Sequence, residues 1–234
     1  MGTSPDHPEL QFVQAKGYTK GRADGPPLWI VIHDMEAHET PDRAEKTAQY
    51  FATLPDGRSV SSHYTADNDS VVQCVRLGDV AWTVGNRPGN YRGINWELAG
   101  FASQTRDQWL DPFGQAMLQK IAPLIRADAA TFGIPLRRCT VADLKEYRPG
   151  VTSHNDLRLA FGGTTHTDPG PNFPWDYLMS LLTGGTMPSE WHTGEPSGPG
   201  LTQGTGGYAG QQRDTALAFA WQEAHDAREA AQEA

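Results

Sequence analysis

The chain has no run approaching the ~20 consecutive apolar residues of a membrane-spanning helix, so it offers no candidate for a helical span. Positive charge is scarce. Its 19 lysines and arginines stand against 28 aspartates and glutamates, a net charge of −9. That balance argues against general affinity for nucleic acid or for anionic membranes. There are only two cysteines, Cys74 and Cys139, far apart and in no CxxC pair; such thiols in a chain made in the cytoplasm are expected to be free. The opening residues, "MGTSPDHPELQF", carry neither a basic n-region nor an apolar h-region, so no signal peptide is expected. An HExxH-type metal signature is also missing, and there is no internal repeat.

What is present reads as strands interleaved with helices. "LWIVIHDM" (28–35) is a short apolar run, expected to be a buried strand ending at His33. "TPDRAEKTAQYFATL" has helix-start grammar, with Thr40 as cap and Pro41 at the first position. "HYTADNDSVVQCV" reads as two strands around an Asp-Asn-Asp-Ser turn, and "INWELAGF" as another strand. In "DPFGQAMLQKIAPLIRADAATFG", Asp111 is the expected cap, Pro112 the first residue and Gly133 the stop. Phe113, Met117, Ile121, Leu124 and Ile125 recur there at helical spacing, and Pro123 is a potential kink. "PWDYLMSLL" predicts a short closing helix.

This alternation predicts an α/β domain over residues 1–182. Residues 183–210 are dominated by Gly, Pro, Ser and Thr and read as a flexible linker. The Ala- and Glu-rich residues 211–234 read as a helical tail too short for a core of its own.

The chemistry-bearing residues are histidines and acids. His33 ends the predicted buried strand, and "VTSHNDL" supplies His154. "TTHTDPGPNFPWD" (164–176) holds His166 and Asp168 two residues apart. Prolines at 169 and 171 rule out a helix or central strand there, because each lacks a backbone donor and has a fixed φ. Zinc hydrolases commonly use three N/O ligands and leave a fourth position for water. His33 and His154 with one of His166 and Asp168 meet that count. Such a metal would lower the pKa of water from ~15.7 towards ~7. Spacing alone leaves ordinary surface turns and core histidines as an equal alternative.

The motifs "WIVIHDM", "SSHYTADNDSVVQCV", "AWTVGN", "INWELAG", "VTSHNDL" and "HTDPGPNFPWD" follow one another as in type-2 N-acetylmuramoyl-L-alanine amidases. The chain resembles this family of zinc amidases, which includes phage endolysins, bacterial muropeptide amidases and peptidoglycan recognition proteins, over roughly residues 12–182. The resemblance implies a central mixed β-sheet flanked by helices, with a zinc groove on one side. It implies Zn2+ held by His33, His154 and Asp168, a last position that is Asp or Cys in relatives. His166 matches a place where relatives carry lysine or another polar residue facing the substrate carbonyl, and so implies an oxyanion-stabilising role. Glu97 matches a general-base glutamate of the bacterial muropeptide amidases. Other relatives carry a tyrosine at the position of Ser62, so its absence strengthens Glu97.

His63 is expected to support the groove, while His7, His38, His192 and His225 lie in polar segments and receive no role. Trp82, Asn86, Arg87, Asn90 and Arg92 fall around the expected groove, where an arginine can pair bidentately with stem-peptide carboxylates; the first three are the candidate substrate contacts. The implied activity is hydrolysis of the amide between the lactyl group of N-acetylmuramic acid and the first L-alanine of peptidoglycan. The implied setting is a phage endolysin held in the host cytoplasm until the membrane is permeabilised and then acting on the cell wall. A bacterial recycling amidase and a non-catalytic peptidoglycan-recognition module are the alternatives.

Overall fold

The computed structural model describes residues 2–56 and 59–185. In chain order the elements are strands β1 (Gly2–Thr3), β2 (Gln11–Phe12), β3 (Tyr18–Thr19) and β4 (Trp29–Asp34), helix α1 (Arg43–Thr53), strands β5 (Tyr64–Ala66), β6 (Val71–Gln73) and β7 (Val80–Ala81), and helix α2 (Arg87–Arg92). Then come strand β8 (Gly93–Leu98), helices α3 (Arg106–Trp109), α4 (Pro112–Phe132) and α5 (Val141–Lys145), strand β9 (Gly150–Ser153), and helices α6 (His154–Phe161) and α7 (Trp175–Thr183). The expected 183–210 linker, apart from its first three residues, and the expected 211–234 tail lie outside the described residues.

Seven strands form one mixed sheet in the order β1-β2-β6-β5-β8-β4-β9, and β3 pairs with β7 in a separate ribbon. Strands β5, β8, β4 and β9 run parallel; β5–β6 and β1–β2 are antiparallel. All six residues of β4 are buried, as a central parallel strand covered on both faces requires. Side chains alternate between those faces. Trp29 and Val31 pack with Leu144 of α5 and Leu157 of α6, and α1 covers the same face further along the sheet through Ala44, Ala48 and Phe51. On the opposite face Tyr64 stacks on Trp96 with ring centroids 4.1 Å apart, and the Tyr64 hydroxyl reaches Asp128 of α4. Burying one Trp or Leu on either face contributes about 1.5–3 kcal/mol.

Helix α4 follows its sequence grammar. Asp111 accepts from the Gly114 N–H, Pro112 opens the helix, and Gly133 closes it in the left-handed conformation at φ 66°. Pro123 stays inside the helix on its exposed side. Helix α1 departs from expectation. It starts at Arg43 with Asp42 at the cap position and no side-chain cap. The Thr40 hydroxyl instead donates to Asp42 at 2.7 Å, and the Arg43 N–H is taken by the Thr40 carbonyl, so a turn precedes the helix. Both cysteines are buried and unpaired. Among the described residues no helix is long and apolar enough to cross a membrane.

Candidate metal centre

Three parallel strands bring the site together at their C-terminal ends, the edge where open α/β sheets take their ligands. His33 on β4 is in register with Glu97 on β8. Ile32 pairs with Ser153, the last residue of β9, so His154 stands level with His33. His33, Glu97 and His154 therefore form one row across β8, β4 and β9. Ser153 caps α6 by accepting from the Asp156 N–H, which turns the chain sharply and leaves His154 at the helix start. Asp168 enters from the loop after α6, with its carbonyl accepting from the Asn155 N–H at 3.2 Å. Gly170 fixes that loop at φ 86°, where a Cβ would run into the Ala102 carbonyl.

His33, His154 and Asp168 are 1%, 4% and 5% exposed. His33 Nδ1 lies 3.1 Å from His154 Nδ1 and 3.0 Å from Asp168 Oδ2, while His154 Nδ1 lies 3.1 Å from Asp168 Oδ1. One donor atom from each residue falls within 4.8 Å of the others, so the three can hold a metal ion. The outer ring nitrogens say how. His154 Nε2 donates to the Val84 carbonyl at 3.0 Å, with Thr164 Oγ1 at 3.1 Å. His33 Nε2 donates to Asn95 Oδ1 at 3.0 Å. With the protons placed on Nε2, two neutral Nδ1 lone pairs and a carboxylate face one another. Such a set repels itself without a cation and suits one with it. The donors present therefore fit a bound zinc ion. Burial alone would raise the Asp168 carboxyl; in the metal-free chain, donation from Nδ1 of His154 and then of His33 outweighs burial and holds the carboxyl well below the carboxylate range, a part that a bound cation would take over.

Acids surround this core. Glu97 is half-buried, and burial followed by the Asp168 charge pushes its carboxyl well above the usual range, with His154 opposing. Asp34 is buried beside His33 and is likewise raised, by burial and then by Asp168 and Glu36. His166 stacks on His154 with centroids 5.0 Å apart and planes 7° from parallel, and its Nδ1 is 4.0 Å from Asp168 Oδ1. It stands against the centre, while Asp168 faces both His33 and His154 more closely.

The loop candidates have other contacts. Asn86 caps α2 by accepting from Gly89 N and donates to the Gly162 carbonyl. Trp82 donates to Thr19 Oγ1 at 2.9 Å, and its ring lies where a side chain at Gly17 would sit. Arg87 is exposed, pairs with Asp24 at 2.6 Å and lies over the Tyr91 ring. Asn90 Oδ1 accepts from Thr83 N and Val84 N, and the Arg92 guanidinium donates to the Asp24 carbonyl.

Sequence reasoning passed over Asn95 and Asp34. Asn95 had a signal, since it lies two residues before Glu97 in a strand and so shares its face. The Val84 carbonyl had none, being backbone. His7, expected in an exposed segment, is buried with Nε2 2.7 Å from Asp128.

A His–His–Asp group able to hold a metal ion, with a half-buried glutamate beside it, thus lies at the C-terminal edge of parallel strands. The N-acetylmuramoyl-L-alanine amidase family matches residues 23–171, and the chain belongs to it. It is an amidase of peptidoglycan. Among solved structures it is similar to the Staphylococcus aureus hydrolase AmiA in complex with its ligand (TM-score 0.58, 18% identity, 77% of this chain and 88% of that one). It is also similar to AmpD, as a selenomethionine derivative (TM-score 0.56, 20% identity, 78% and 99%), and to the catalytic domain of XlyA (TM-score 0.51, 19% identity, 74% and 99%). At these identities the likeness is one of fold. No curated protein matches by sequence.

Proposed function

We propose that this amidase is zinc-dependent and cleaves the amide between the lactyl group of N-acetylmuramic acid and L-alanine, with His33, His154 and Asp168 as ligands. The observation that carries the reading is the convergence of two Nδ1 atoms and a carboxylate while each Nε2 lies against an oxygen that can only accept. Zinc, when bound, supplies Lewis acidity that polarises the scissile carbonyl and acidifies water. The residues around it do the rest. Glu97, level with His33 on the same face of the sheet, takes the proton of the attacking water and passes it to the leaving amine nitrogen. A carboxyl raised by burial and by Asp168 holds that proton between the two half-steps. His166, stacked on His154, donates to the developing oxyanion. Trp82, Asn86 and Arg87 are the proposed substrate contacts, Arg87 through its exposed guanidinium.

The biological role we propose is that of a phage endolysin, with residues 1–182 as catalytic domain, 183–210 as linker and 211–234 as tail. It would collect in the host cytoplasm and act on the wall after permeabilisation. The order of its motifs, which matches whole-cell-lysing relatives, supports this. Mass spectrometry of purified peptidoglycan digested with the protein tests the bond: intact stem peptides with free N-terminal L-alanine are expected, and new reducing sugar ends would refute it. Lysis of permeabilised whole cells tests the role. Activity confined to small soluble muropeptides would favour the recycling amidase.

A further inference from the structure

Asn95 is fully buried in the centre of the sheet. Its register partner on β4 is Val31, so its side chain lies on the His33 face, one row below His33 and Glu97. An asparagine is poorly suited to that place. Its Nδ2 is buried with no hydrogen-bond partner, and an orphaned buried donor costs about 1–3 kcal/mol. A valine or leucine would fill the space without that orphan, but would leave His33 Nε2 with no acceptor. What the amide does accomplish is a single contact: Oδ1 accepts the His33 Nε2 proton at 3.0 Å.

The surroundings hold the Asn95 backbone in place. The Asn95 N–H points to His63 Nδ1 at 3.1 Å. Its carbonyl accepts from the His63 N–H at 3.2 Å and from the Ser62 hydroxyl at 2.8 Å. Gly93, two residues back on the same face, leaves it room: a Cβ there would stand 3.1 Å from Nδ2. Ser62 and His63 thus clamp the residue that fixes His33.

We infer that Asn95 is a positioning residue for the metal centre: it keeps the His33 proton on Nε2 and so keeps the Nδ1 lone pair available as a ligand. The inference rests on the proposed zinc reading. Two tautomers of His33 compete. A proton on Nδ1 would bond Asp168 Oδ2 at 3.0 Å and block ligation; a proton on Nε2 needs an acceptor behind the ring. For His154 that acceptor is the backbone carbonyl of Val84, which no substitution removes. For His33 it is a side chain, so the donor set depends on the identity of residue 95 at this one point.

The experiment measures zinc affinity by chelator competition in the full chain, with Asn95→Leu, Asn95→Val and Asn95→Asp beside the wild type. The apolar variants should bind zinc ~10–100-fold more weakly, the usual effect of losing the group that orients a ligating histidine. Their zinc-free forms should melt close to the wild type, because the orphaned Asn95 donor is gone and the His33 proton can move to Nδ1, where Asp168 Oδ2 accepts it. Asn95→Asp retains the acceptor and should keep affinity within a few-fold. Unchanged affinity in a folded apolar variant overturns the inference and leaves the zinc reading standing. A wild-type chain that binds no zinc overturns both. Should both apolar variants fail to fold, nitrogen chemical shifts of His33 in the zinc-loaded wild type decide: Nδ1 ligation with a protonated Nε2 supports the assignment, and ligation through Nε2 refutes it.

Discussion

Glu97→Gln separates chemistry from architecture because the two effects have opposite signs. Glutamine keeps the shape of glutamate but cannot accept and return a proton. A positioned general acid/base is worth ~10²–10⁴ in rate, or about 2.7–5.4 kcal/mol of barrier at 1.36 kcal/mol per tenfold. The stability effect runs the other way. Burial and the Asp168 charge raise the Glu97 carboxyl well above its ordinary 4.5. In the zinc-free protein the ionised form is therefore disfavoured, and stability falls as pH rises from that ordinary value through the raised one. Glutamine has no charge to disfavour. At neutral pH, zinc-free Glu97→Gln should melt at or above the wild type while turnover falls by the stated factor and zinc stays stoichiometric. Single-turnover release of stem peptides, metal analysis and a melting curve on the same preparation provide the three readings. Near-normal turnover with full zinc would remove Glu97 from the mechanism, and a marked drop in melting temperature would make it a structural residue.

Asp168→Ala should lose most of its zinc and nearly all activity, whereas Asp168→Cys should keep zinc, since thiolate is an accepted ligand; metal analysis reads both. His166→Ala should keep zinc and lose ~10²–10³ in rate, and an empty site in that variant with a loaded Asp168→Ala would reverse the assignment. Gly170→Ala forces a Cβ towards the Ala102 carbonyl at a positive φ, so denaturant unfolding should show a loss of more than ~1 kcal/mol, with weaker zinc binding through the displaced Asp168 loop. Ending the chain after Gly185, which keeps the Gly184 cap of α7, should leave muropeptide hydrolysis intact; loss of folding would refute a self-contained domain. The Asp128 carboxylate at 2.7 Å raises the His7 imidazole above 6.5, against its own desolvation, although burial also raises Asp128 itself. The His7 contribution is thus full below about pH 6.5 and is lost as pH rises through the raised value. Urea midpoints should fall more steeply over that window in the wild type than in His7→Gln.

Elements whose signal is local were legible in the chain. The six apolar-flanked residues of β4, the Asp111–Pro112 start and Gly133 stop of α4, and the turn where Asp67 Oδ1 accepts from the Asp69 and Ser70 N–H groups are each decided by neighbours within a few residues. The cap of α1 was misplaced because Thr40 and Asp42 both satisfy the same rule, and Thr40 spends its hydroxyl on Asp42. Strand β9 went unseen, since "GVTS" has no period of its own and is a strand only because β4 offers it a parallel edge. In the site, the histidines and the acid were visible as residue types, but separations of 121 and 135 residues from His33 to His154 and Asp168 leave no local trace. The resemblance in motif order supplied that grouping. Only the tertiary structure decided which nitrogen of each ring faces the centre, because that depends on acceptors behind the rings: a backbone carbonyl at Val84 and a buried amide at Asn95, placed by strand register and not by sequence neighbourhood.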